Sequence, residues 1–213
     1  LAKHLAGDPP LAAATAEALG KIGTVEAAEA LLKAPPTVPA GALQNAQLQC
    51  AERVAAIGNV ATAATIYMRI WKSQRPAAWR VPGLAGLAKA DPQLATPWVM
   101  EALGDDDPLL RAAAVRIARS LPGPQVTASL VGGLPQLAPS AQALVLGVLG
   151  ERGDRAAVQA VLASLEAPSP AVQVAAIEAL GRLGDAAAAE RLAKLAATGS
   201  GVAQQASRTS LAR

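Results

Sequence analysis

Apolar positions recur along this chain at helical spacing. Near the C-terminal end Val172, Ala176, Ala179, Leu180 and Leu183 fall on one helical stripe, bounded by Ser169-Pro170 before and Gly184 after. Ser169 is of the type that caps a helix N-terminus, and Pro170 suits the first helical position, where no N–H is needed. Gly184 fits a left-handed stop. Asp185 then opens a second stripe through Ala189, Leu192, Ala193 and Leu195. The same design returns from Asp8-Pro9 to Glu17-Ala18-Leu19-Gly20-Lys21-Ile22-Gly23, at Asp107-Pro108 with Leu109 to Val115, and at Val148-Leu149-Gly150-Glu151-Arg152-Gly153-Asp154. Gly123, Gly153 and Gly184 close successive units 30 and 31 residues apart. A period near 30 with two helices per unit predicts stacked helical hairpins, because a lone hairpin cannot bury its apolar face.

Composition supports helices and removes several chemistries. About a quarter of the 213 residues are Ala, the best helix former, while aromatics are 2% with no Phe, too few for a sheet sandwich. Charged residues are 16% with a net charge of +3, which argues against nucleic acid or an anionic membrane as the partner. The single cysteine, Cys50, and the single histidine, His4 near a frayed end, cannot build a zinc site or a Ser-His-acid or Cys-His arrangement. No metal and no cofactor are expected. The longest uncharged stretch, from Ser120 to Gly150, is broken by Pro122, Pro124, Pro135 and Pro139 with Gly132 and Gly133, so it does not predict a membrane span.

The run from Val172 to Asp185 resembles the bacterial HEAT-like repeat, the type also found in phycobilin lyase subunits. The resemblance covers nearly the whole chain as a single repeat domain, with units at about 8–34, 45–72, 78–103, 107–134, 139–165 and 169–197. It implies an all-α, right-handed superhelix of about six hairpins, with partial units at 1–6 and 200–213. Family units often carry an Arg soon after Asp-Pro, in a polar ladder between units. Arg111 keeps it, whereas Gln173 and Ala12 stand at the equivalent places, which interrupts such a ladder. The stretch Gln47 to Lys72 looks nearer to a tetratricopeptide-type hairpin, and Pro35-Pro36-Thr37-Val38-Pro39 before it reads as the most extended segment.

In HEAT-like arrays the second helix of each unit lines a concave, partner-binding face. The residues of those helices not needed for packing are Glu26, Glu29, Lys33, Arg69, Lys72, Arg155, Gln159, Glu190, Arg191 and Lys194. A solvated helix face is the plainer account of each. The stretch Tyr67 to Arg80 stands apart, with Tyr67, Trp71 and Trp79 beside Arg69, Lys72, Arg75 and Arg80 and no acid. Such an aromatic and basic patch could stack on bases or hold an anionic peptide, but aromatics that fill a wider gap in the core are the plainer account. Trp98 and Cys50 read as core, and Asp105-Asp106-Asp107 as a helix start rather than a cation site.

These features favour a non-catalytic scaffold that binds a protein or peptide on its concave face, within a longer multi-repeat or multidomain protein. A chromophore-lyase-like subunit acting with a partner, resting on fold analogy, and a nucleic-acid-binding solenoid are the alternatives. Uncovered repeat ends leave room for self-association, and a single Cys fits cytoplasm or periplasm equally.

Overall fold

The computed structural model describes residues 1–212, and every regular element among them is a helix. Arg213, which the sequence puts inside the repeat pattern, lies outside the described residues. The chain divides into two compact units, Leu1–Ala95 and Thr96–Arg213. In the first unit α1 (Pro9–Ile22), α2 (Val25–Leu32), α3 (Ala40–Ala56), α4 (Val60–Trp71) and α5 (Ala77–Ala90) follow a 3-10 turn at Ala2–Ala6. The division falls inside α6 (Pro92–Leu103). The second unit continues with α7 (Pro108–Ser120), α8 (Pro124–Gly133), α9 (Pro139–Arg152), α10 (Val158–Ala163), α11 (Pro170–Leu183), α12 (Ala186–Thr198) and α13 (Gly201–Leu211). The fold is all-α and built of helical hairpins, as the period near 30 predicts.

Loops of two or three residues join many of the hairpins, which forces consecutive helices antiparallel. Asp8, Thr24, Asp107 and Asp185 each accept a first-turn backbone N–H with their side chains. Gly184, at φ 62°, ends α11 in the left-handed region. Ser169 departs from expectation, since it occupies the capping position without a side-chain bond; in the same turn Gln173 donates to the Ala167 carbonyl at 2.8 Å. The second stripe holds at Leu192 but not at its alanines. Ala188 and Leu192 are the buried residues of α12, while Ala189 and Ala193 face solvent. The proline-rich linker is a turn rather than an extended segment. Val38 donates to the Pro35 carbonyl at 3.2 Å and buries its side chain, and Thr37 donates to the Leu5 carbonyl. Residues 2–6, close to the end expected to fray, form the 3-10 turn and bury Leu5.

Within each unit the first helices of the hairpins lie side by side. In the first unit α1 packs on α3; in the second, α9 on α11 and α11 on α13. Small residues set how close they come. A Cβ placed on Gly20 would lie 2.8 Å from the Ala46 carbonyl oxygen, and one on Gly150 would lie 2.7 Å from the Ala179 Cα. Both contacts are backbone against backbone, so neither helix could yield. At the corresponding place in α7 stands Ala118, and α7 and α9 approach less closely. Arg152, at the end of α9, spans that joint. Its guanidinium donates to the carbonyls of Ala118, Leu121 and Gly123 and to the Thr127 hydroxyl. Burial among these groups lowers its affinity for a proton from the usual arginine value.

One further contact repeats along this row. Arg119 at the end of α7 pairs with Glu151 of α9, and Arg182 of α11 reaches the same carboxylate at 3.7 Å. Arg111, in contrast, folds back to donate to the carbonyls of Asp105 and Asp106 in its own loop, at 2.8 Å each.

Gly150→Val should cost about 3 kcal/mol or more, because the added methyls meet a backbone that cannot move. Gly147→Ala, in the middle of the same helix with open space at its Cβ, should stabilise by roughly 0.5–1 kcal/mol. Urea unfolding of the two variants tests both signs at once.

Candidate functional site

The first unit holds a cleft of about 200 Å³ lined by Ala40, Leu43, Gln44, Gln47, Arg69, Ile70, Ser73, Arg75 and Trp79. Its polar groups are placed by helix ends. The final carbonyls of α2 have no partner inside their helix. Gln47, itself 5% exposed, donates to the Leu31 carbonyl at 3.1 Å, and Arg69 donates to the Leu32 carbonyl at 2.5 Å. Each bond uses one donor, leaving the Gln47 carbonyl oxygen and the other guanidinium N–H groups of Arg69 for other partners. Gln44 donates to the Trp79 carbonyl at 2.7 Å and so ties α3 to the first turn of α5. Arg75 rests over the Trp79 ring, 5.2 Å from its centroid, a cation–π contact at a half-buried indole.

Helix α5 can present Trp79 here because it lies directly on α4. A Cβ on Gly83 would stand 2.6 Å from both the Tyr67 carbonyl oxygen and the Trp71 backbone nitrogen. None of the lining residues is acidic. From Arg53 to Ala90 the chain carries six basic residues and no acid, so the remainder, with thirteen basic residues against sixteen acids, is net negative. The modest overall charge conceals this local concentration.

The stretch Tyr67 to Arg80 is therefore not one patch. Tyr67 and Trp71 are core residues, 3% and 1% exposed. Arg80 lies over the Trp71 ring, 4.5 Å from its centroid, and donates to the Trp71 carbonyl at 2.9 Å, so this pair is satisfied internally. Of its aromatic and basic side chains, Arg69, Arg75 and Trp79 reach the cleft. Tyr67 instead floors a separate hollow of about 280 Å³, with Glu52 on one side and Lys89 on the other. Burial, with a smaller contribution from the Glu52 charge, pushes its hydroxyl up to about 12.

The ten second-helix candidates divide between the two units. On α2, Glu29 and Lys33 form an exposed pair at 3.6 Å, and Glu26 is held below the usual carboxylate range by its own backbone N–H and the Thr24 hydroxyl. Lys72 is exposed at the end of α4. In the second unit Arg191 pairs with Glu166, while Arg155, Gln159, Glu190 and Lys194 are exposed. Of the ten, only Arg69 lines the cleft. Gln44 and Gln47 escaped the sequence reading because α3 is a first helix. Their one signal was two glutamines three apart, one of them in the register of buried Ala46 and Cys50.

Trp98 is half-buried and Cys50 fully buried, its thiol pushed up by that burial. Asp105 and Asp107 accept backbone N–H groups at the start of α7, both at 2.8 Å. Among the described residues no group of three or more His, Cys, Asp or Glu side chains is placed to hold a metal, and no helix is long and apolar enough to cross a membrane.

Residues 134–212 match the family model of HEAT repeats. The solved structure of human deoxyhypusine hydroxylase in complex with glycerol is similar at a TM-score of 0.47 and 19% identity, covering 97% of this chain and 80% of that one. No curated protein sequence matches.

The protein has one tyrosine, so its titration can be followed in isolation. Tyr67 should remain un-ionised at pH 11 in the folded state, read by absorbance near 295 nm. Its ordinary value is 10.0 and its folded value about 12, so the folded state holds the proton more tightly. Stability should therefore be unaffected by this group below pH 10 and fall between pH 10 and 12.

Proposed function

We propose that this chain is a non-catalytic interaction scaffold that binds a protein or peptide partner, and that the α3–α4–α5 cleft is a point of attachment. The observation that carries this reading is the arrangement of the cleft itself. Two arginines, a half-buried tryptophan and two glutamine amides converge on one hollow, and each of these five side chains already makes an internal contact. Side chains ordered before the partner arrives lose little entropy on binding, which is where a rigid helical stack gains affinity. The mixture of aromatic, arginine and amide groups is also the composition of binding hot spots rather than of general acid–base machinery.

Peptide display tests this reading. A random peptide library panned against the immobilised chain should yield a sequence family whose binding is competed by free chain. If repeated rounds return only peptides that also bind the bare support, the scaffold reading fails.

A further inference from the structure

Resting on the scaffold reading, we infer that the cleft recognises an acidic and apolar peptide segment: a carboxylate side chain held by Arg69 and Arg75, with a neighbouring apolar side chain against Trp79, Leu43 and Ile70. Charge complementarity selects the carboxylate. Arg69 and Arg75 line one wall system without an acid among them, and neither has an ion-pair partner among the described residues. Arg69 is oriented by the Leu32 carbonyl and Arg75 by the Trp79 ring. Both guanidinium groups therefore wait in position with N–H donors to spare, and a planar fork of donors matches a carboxylate. Helix α3 adds to the same field. It begins at Ala40 in the cleft wall behind Pro39, which offers no side-chain cap, so the positive end of its dipole is left for a ligand.

The apolar half follows from the rest of the lining. Leu43, Ile70 and the Trp79 ring are contiguous with the arginines, and about 200 Å³ accommodates a side chain of leucine size beside a carboxylate. A single-stranded nucleic acid would need a row of open aromatic faces. Here Tyr67 and Trp71 are buried, and Trp79 already has Arg75 over its ring, so no such row exists among residues 67–80.

Fluorescence anisotropy with two fluorescein-labelled octapeptides, one alternating Glu and Leu and the other alternating Gln and Leu, provides the test. The Glu peptide should bind, with affinity that falls as salt is raised, and the Gln peptide should bind about tenfold more weakly or less. Arg75→Glu should weaken the Glu peptide by about tenfold or more. Arg116→Glu, an exposed change on α7 in the other unit, should leave binding intact. Arg75 is exposed, so Arg75→Glu should melt like the parent, and thermal unfolding by circular dichroism verifies that its effect is local. Equal binding of both peptides, indifference to Arg75→Glu, or tighter binding of a labelled oligo-dT than of the Glu peptide would each overturn the assignment. Failure here with display selecting neutral peptides overturns this inference and leaves the scaffold standing. Failure in both removes both.

Discussion

The closeness of backbone to backbone at a few small residues governs the rest of this molecule. Gly20 against Ala46 and Gly150 against Ala179 bring neighbouring first helices so close that backbone meets backbone with no room for a Cβ. With helices that near, the space between them is filled by Ala, Leu and Val, and large rings have no room. The near-absence of aromatics is thus a consequence of the packing distance rather than an oddity of composition. Where alanine replaces the glycine, at Ala118, the joint is bridged by Arg152, a long side chain that satisfies four acceptors across the gap.

The cleft arises where this rule bends. Helix α4 carries two large rings, Tyr67 and Trp71, and α5 lies against it with Gly86 facing the Tyr67 ring and Gly83 facing the α4 backbone. Two hollows remain at the ends of this contact, one floored by Tyr67 and one walled by Trp79. Groups that cap helix ends then become the lining of the second hollow. Arg69 and Gln47 satisfy the last carbonyls of α2, and those same bonds point their remaining polar atoms where a ligand can meet them.

Much of the fold was legible in the sequence because its signals are local. Asp107-Pro108, Asp185 and Gly184 act within their own turns, and each behaves as its residue type dictates. Ser169 occupies its capping position without the bond its residue type offers, and the proline-rich linker was decided by a tertiary contact, since burial of Val38 curled it into a turn. The site was less legible. Arginine beside aromatic residues marked the right stretch, but helical geometry sends Tyr67 and Trp71 inward, Trp79 outward and Arg80 onto Trp71. The glutamines that complete the cleft come from a helix about 20 to 35 residues earlier, a pairing that only tertiary packing reveals.

The Arg119–Glu151–Arg182 contact bears on how the second unit keeps its order. Successive first helices carry opposite charges at one register position, and a carboxylate serves both neighbours. Exposed pairs of this kind add little to stability. Exchange of α9 for a copy of α7 or α11, however, would set guanidinium against guanidinium. Repeats so alike in their apolar stripes could otherwise trade places during folding or between chains. Alternating sign thus works as an address label, distinguishing adjacent repeats that the hydrophobic pattern leaves nearly interchangeable.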